Sequence, residues 1–177
     1  ISFDERGFCN ACVWMEEKKN LDWSSRLLEF ENVINEIKSK KKKYDVLVPV
    51  SGGKDGSYVA YQLKHKFNLN SLSVTIRPPL ELEIGKQNLV NFVNSGFEHF
   101  HVTTNFEAMQ KLDKQGFIHE GQGYYGWLIS IHTAVLRVAQ MFDIDLIVYG
   151  EDGEIEYGGS LDYKNKRLVW AFNNKIP

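Results

Sequence analysis

The chain has 177 residues, 43% of them apolar, which suits one domain of ordinary size with a filled core and argues against a disordered protein. A net charge of −2 and a pI near 6.2 leave no global basic field of the kind that dominates nucleic-acid binding, so no nucleic-acid partner is expected. No stretch approaches the ~20 apolar residues that cross a bilayer and nothing at the start reads as a secretory signal, so a cytoplasmic protein is expected.

In chain order, residues 1–22 hold both cysteines and read as a knuckle and linker. Residues 23–40 carry Leu27, Phe30, Ile34 and Ile37 at helical spacing, with Asp22 or Ser24 as cap. The basic run of residues 38–43 closes that helix, where cations favour the dipole, and reads as a solvated face. A strand follows over 44–50, a helix over 57–67 with Tyr58, Val59, Leu63 and Phe67 on one face, and a second strand over 72–76. Pro78 and Pro79 break the chain before a helix over 84–95, and a short third strand covers 99–102. Asn105 can cap a helix through Phe106, Met109 and Leu112; residues 116–126, rich in Gly, Tyr, Gln and His, read as a loop. A long helix over 127–142 and a fourth strand over 146–149 complete the pattern, and residues 161–177 stay unassigned. Alternation of strands and helices predicts an α/β fold, a parallel sheet with helices on both faces, whose ligand crevice lies beyond the C-terminal strand ends.

The first strand ends abruptly in Ser51-Gly52-Gly53-Lys54-Asp55-Gly56-Ser57. Adjacent glycines admit backbone conformations that let successive N–H groups converge on an anion, and a following helix N-terminus adds positive potential. The spacing matches neither a Walker loop nor a dinucleotide-binding Gly-x-Gly-x-x-Gly, so a phosphate grip of another kind is expected. A second signal, Cys9-Asn10-Ala11-Cys12, is half of a tetrahedral zinc site; an unliganded knuckle and a redox pair remain alternatives. The five scattered histidines (His65, His99, His101, His119, His132) each read as surface or core residues rather than ligands. The start at Ile1 suggests a piece of a longer protein, with the missing zinc ligands upstream.

The loop Ser-Gly-Gly-x-Asp-(Gly)-Ser resembles the pyrophosphatase (PP) loop of the ATP pyrophosphatases, whose usual pattern lacks the inserted Gly56. Taken with Ile-Ser-Phe-Asp-Glu-x-Gly-x-Cys-Asn-x-Cys at residues 1–12 and Val-Tyr-Gly-Glu-Asp-Gly-Glu-x-Glu-Tyr-Gly-Gly at 148–159, the chain resembles the N-acetyl sugar amidotransferases of bacterial surface polysaccharide (lipopolysaccharide O-antigen and nonulosonic acid) biosynthesis. The resemblance spans residues 1 to about 160 and includes Gly56. It implies an adenine nucleotide alpha-hydrolase-like (PP-loop) fold over residues 23–160 and conversion of a sugar acetamido group to acetamidino. The amide oxygen would attack the α-phosphate of ATP, releasing pyrophosphate, and ammonia would then displace AMP.

On this resemblance Ser51, Gly52, Gly53, Gly56 and Ser57 cradle pyrophosphate, Lys54 neutralises it, and Asp55 holds Mg²⁺ or else caps the helix. Thr75 and Ile76 meet the adenosine by fold analogy. Glu151 and Asp152 contact a second magnesium or orient ammonia, against the plainer reading of an acidic turn. Arg77 meets a phosphate or a sugar carboxylate, or lies on the surface; the aromatic residues of 122–127 offer faces to a sugar, or core. The implied partners are a nucleotide-activated N-acetyl sugar and a separate glutaminase subunit, since both cysteines belong to the knuckle; association into a homo-oligomer is left open. Zn²⁺ belongs to the full-length protein. The competing readings are a tRNA-modifying ATP pyrophosphatase of thiolase or lysidine synthetase type, and a non-catalytic nucleotide-binding subunit.

Overall fold

A computed structural model describes residues 1–151, which divide into two compact units: residues 1–30 with Glu151, and residues 31–150. The elements are α1 (Asn10–Lys19), α2 (Trp23–Ser39), β1 (Val46–Pro49), α3 (Lys54–His65), β2 (Ser71–Ile76), α4 (Glu83–Asn94), β3 (Glu98–Val102), α5 (Phe106–Glu120) and α6 (Tyr125–Met141). No helix among the described residues is long and apolar enough to cross a membrane.

In the first unit, residues 2–10 form a tight reversal. The Asp4 carboxylate accepts the N–H groups of Arg6 and Phe8, both at 2.9 Å, Gly7 takes φ +79°, and Phe3 bridges Cys9 antiparallel. The Phe8 N–H is the main reason the Asp4 carboxyl lies below its ordinary pKa. The reversal delivers Cys9 to the N-cap of α1, so the segment read as knuckle and linker contains a helix.

The second unit is built on a parallel sheet in the order β1-β2-β3, with Val46 opposite Ser71 and Ser73 opposite His99. The expected fourth strand is reduced to a single parallel bridge, Leu47 to Ile147. The Leu47 N–H donates to the Leu146 carbonyl at 2.9 Å, and the Val148 N–H donates to the Leu47 carbonyl at 3.0 Å. That segment lies on the edge of β1 opposite β2. The chain therefore steps one way across the sheet and later returns to the far side of β1. Because parallel crossovers share one hand, α3 and α6 cover opposite faces, as expected.

Period-two alternation in β2 sorts the faces. Leu72, Val74 and Ile76 join Leu47, Tyr44, Val135, Val138, Ala139 and Ile144 in the core beneath α6. The opposite face carries Ser71, Ser73 and Thr75, all buried, beside Val46 and Val48. Ser73 is wholly buried and its hydroxyl has no partner among the described residues, a burial that costs roughly 1–3 kcal/mol.

Two expectations are corrected. Residues 116–126 form a loop only over 121–124: α5 runs on to Glu120 and ends at Gly121 in the left-handed conformation (φ +66°), and α6 begins at Tyr125. Gly116 and Gly126 are contact points between these helices, since a Cβ on Gly116 would lie 2.0 Å from Tyr125 Cβ and one on Gly126 2.8 Å from Leu112 Cβ. The basic run is also more than a solvated face. Lys38 donates to the Phe67 carbonyl at 2.6 Å, Lys40 pairs with Asp145 at 3.0 Å, and Lys42 spans Asp143 and Asp145 at 2.9 Å each. The Asn105 cap is as expected, its side chain accepting the Ala108 N–H at 2.9 Å.

Candidate functional site

Helix α3 starts three residues earlier than its periodicity suggests, so Lys54, Asp55 and Gly56 form its first turn behind the N-cap Gly53. Gly52 bends the chain there with φ +81°, and a Cβ on it would meet the Gly85 carbonyl at 2.8 Å, so this position needs glycine on two counts. No side chain caps α3, and the Ser57 hydroxyl donates back to the Gly53 carbonyl at 2.7 Å. The first-turn N–H groups, which have no carbonyl earlier in the helix to bond, are the donors an anion would use.

Gly56 is buried because α3 leaves the sheet at close quarters: a Cβ there would stand 2.7 Å from the Pro49 carbonyl. Gly150, at the end of the returning segment, lies against the same turn, and its Cβ would stand 2.8 Å from both Asp55 C and Gly56 N. The loop thus sits where the strand order reverses, between β1 and the segment beyond it, the position at which open α/β sheets bind ligands.

The Lys54 ammonium lies 2.7 Å from Asp55 Oδ1, and both side chains project outward, 88% and 55% exposed. Asp55 therefore serves as no helix cap. It is the carboxylate of the loop, and its exposed oxygens suit a magnesium ion carried by phosphates. No group of three or more His, Cys, Asp or Glu side chains among the described residues could hold a metal ion unaided. Glu151 is exposed and follows Gly150 in the chain, whereas Asp152 lies outside the described residues, as do the rest of the acidic turn and residues 161–177.

Thr75 is buried at the end of β2, where its hydroxyl donates to the Val50 carbonyl at 2.5 Å and meets His99 Nε2 at 2.8 Å. Ile76 points the other way, into the core beneath α6, and has only its backbone to offer at the strand end. Two hollows flank the loop. One, of about 650 Å³, is lined by Ser51, Thr75, Arg77, Lys86, Leu89 and His101 among others. The other, of about 580 Å³ between α3 and α4, takes in Gly53, Lys54, Ser57, Tyr61 and Asn88. Arg77 pairs with Glu81 at 2.9 Å and Lys86 with Glu83 at 2.7 Å, so the cations of the first hollow are already partly neutralised. Of the aromatic residues at 122–127, Tyr124 is exposed, Tyr125 backs onto Gly116 and Trp127 packs against the core.

The structure thus brings Ser51 to Ser57, Thr75 and Gly150 together. It also adds His99, which no motif marks. The only local signal for it is polar residues at alternate positions of two strands, Ser71, Ser73 and Thr75 beside His99 and His101.

In the first unit, Cys9 Sγ and Cys12 Sγ are 3.5 Å apart. Two sulfurs on one tetrahedral zinc, each about 2.3 Å from the metal, would sit roughly 3.8 Å apart, so the pair fits two of its vertices. The Cys12 backbone N–H holds the Cys9 thiol below its ordinary pKa, and the shared bond to Cys9 holds Cys12 above it.

No protein-family model and no curated protein matches the chain. Similar solved structures include a "predicted subunit of tRNA methyltransferase" from Methanocaldococcus jannaschii, with TM-score 0.45 and 25% identity over 73% of this chain and 63% of that one. Another is the NH3-dependent NAD synthetase from Campylobacter jejuni in complex with nitrate, with TM-score 0.45 and 14% identity over 71% of this chain and 56% of that one. The chain matches less than two thirds of the length of either.

Proposed function

We propose that residues 51–57 grip the β- and γ-phosphates of ATP, and that the chain is a PP-loop ATP pyrophosphatase acting as an N-acetyl sugar amidotransferase. The observation that carries this reading is the loop itself. It is a strand-to-helix turn with glycine at φ +81°, an uncapped helix N-terminus and a lysine in the first helical turn, all at the reversal of strand order.

An amide is a poor electrophile with a poor leaving group, so its oxygen must first be made to depart. Attack of that oxygen on the α-phosphate forms an O–P bond and breaks the bond to pyrophosphate. Ammonia then adds to the imidate carbon, AMP leaves with the oxygen, and acetamidine remains. The protein supplies no nucleophile; it positions the reactants and stabilises charge on the departing pyrophosphate. The loop N–H groups and Lys54 meet that charge, Asp55 takes the magnesium that neutralises the phosphates, the main chain at the end of β2, at Thr75 and Ile76, meets the adenosine, and Arg77 meets a phosphate or a sugar carboxylate. Glu151 and Asp152 are assigned to ammonia or a second magnesium. A separate glutaminase supplies the ammonia, and zinc at Cys9 and Cys12 takes its other ligands from elsewhere in the full-length protein. The setting is cytoplasmic synthesis of a surface-polysaccharide sugar on its nucleotide carrier.

The test is incubation of the full-length protein with ATP, Mg²⁺, an ammonium salt and nucleotide-linked acetamido sugars. AMP and pyrophosphate should form only with sugar present, with a product lighter by the difference between O and NH. Formation of ADP, or AMP without sugar dependence, would sink the mechanism. Retention of tRNA on filters at physiological salt would favour a tRNA-modifying enzyme instead.

A further inference from the structure

We propose that His99 and Thr75 are positioning residues for the phosphate loop, acting through the Val50–Ser51 peptide group; the inference rests on the phosphate-binding reading of that loop. A peptide group is planar and trans, so its carbonyl and N–H point in opposite directions. Whatever holds the Val50 carbonyl therefore also aims the Ser51 N–H, the first amide of the loop. The Thr75 hydroxyl holds that carbonyl at 2.5 Å, and Val50 and Thr75 are 5% and 6% exposed.

A threonine hydroxyl has one proton. Since Thr75 spends it on Val50, its contact with His99 at 2.8 Å must be an accepted bond, which places a proton on His99 Nε2. Without that donor the hydroxyl is free to rotate and offer its proton elsewhere. With it, one rotor position satisfies both partners. The Val50 N–H is itself bonded to the Val74 carbonyl at 2.9 Å, so the peptides on both sides of Val50 are tied to β2. The line of contacts runs from β3 through β2 to the end of β1, across 49 positions of sequence from Val50 to His99. Neither residue needs to touch the nucleotide.

Substitution pairs separate this role from simple core packing. In His99→Gln the amide NH₂ can occupy the place of Nε2–H, and in Thr75→Ser the hydroxyl is kept; His99→Leu and Thr75→Val remove the donor or the relay. In nucleotide-free full-length protein, the Val50 ¹³C′ and Ser51 ¹⁵N resonances report the hydrogen bond on that one peptide group. Both should move in His99→Leu and Thr75→Val and return towards wild type in His99→Gln and Thr75→Ser. In the AMP-forming assay, the KM for ATP should rise about tenfold in the first pair, with the acceptor-sugar KM unchanged, and recover in the second. Resonances in His99→Leu that coincide with wild type would overturn the proposal, as would equal losses in the conservative and non-conservative variants. If His99→Leu does not fold, the Thr75→Val and Thr75→Ser pair decides between the two roles by the same resonances. A wild-type protein that binds no ATP overturns the functional reading, while the resonances still decide whether His99 and Thr75 set the loop.

Discussion

Gly150 stands against Gly56 so closely that a Cβ on Gly150 would approach the Gly56 nitrogen to 2.8 Å, although the two residues are 94 positions apart in the chain. Gly56 is in turn pressed onto the end of β1, with the Pro49 carbonyl 2.7 Å from where its own Cβ would be. Three backbone segments therefore meet at distances that leave no room for a Cβ on either glycine. The inserted Gly56, a departure from the usual loop pattern, lets α3 leave the sheet at this distance. An alanine inside a helix ordinarily gains about 1 kcal/mol over glycine. At Gly56 that gain should be reversed: Gly56→Ala and Gly150→Ala should each lose roughly 1–3 kcal/mol in urea unfolding and lose AMP formation. Gly85→Ala in α4, where a Cβ meets nothing within 4 Å, should show the ordinary gain. Stabilisation of all three would refute the close approach.

Lys54 and Asp55 offer the opposite combination, with little effect on stability and a large one on turnover. Their 2.7 Å pair is solvent-exposed, and such pairs contribute little to folding. Lys54→Ala and Asp55→Asn should therefore unfold at nearly the wild-type temperature while AMP formation falls about 10²-fold or more, the scale on which single charge-stabilising groups act. Asp55→Asn should also need more Mg²⁺ for half-maximal rate. Wild-type rates in both variants would remove the loop from the chemistry.

What could be read from the sequence, and what could not, divides by the range of the interactions. β2 was legible because Leu72, Val74 and Ile76 alternate with small polar residues, and the cap at Asn105 because its partner is three residues away. The start of α3 was hidden: glycines at 52, 53 and 56 look like loop until Gly53 is seen as an N-cap and Gly56 as a packing contact. Residues 116–126 misled for the same reason, since a glycine that relieves a helix–helix clash and one that permits a turn are the same letter. The His99–Thr75–Val50 connection and the meeting of Gly150 with Gly56 depend on strand order and register, which no local pattern encodes.

Gly116 provides a test of that helix–helix contact. It is buried within α5, and a Cβ there would fall 2.0 Å from Tyr125 Cβ, an atom whose position the α6 backbone fixes. The two helices would have to separate. Gly116→Ala should cost roughly 1–3 kcal/mol or more by overpacking. Gly121→Ala supplies the comparison: its φ of +66° is unfavourable to alanine, but nothing lies within 4 Å, so only the conformational cost of about 1–2 kcal/mol should appear. Equal costs in denaturant titrations would count against the packed hairpin.

His99 should leave a signature in the pH dependence of stability. Burial, and secondly the nearby positive charge of His101 when protonated, push its pKa below the ordinary 6.5. The groups facing it are Ser73 directly across on β2, Thr75 two residues further along β2, and His101 two residues along β3, with the two imidazole centroids 5.9 Å apart; no carboxylate among the described residues contributes to the shift. In the unfolded chain His99 takes up its proton near 6.5; in the folded chain it resists until lower pH. The unfolded state therefore binds more protons across this interval, and stability rises with pH there. The contribution is complete above 6.5 and is lost as the pH falls through the depressed folded value. Urea midpoints measured between neutrality and mildly acidic pH should decline in the wild type, and the decline should be shallower in His99→Gln, which keeps the donor to Thr75 but cannot titrate. An identical slope in both proteins would show that His99 titrates alike in the folded and unfolded chains.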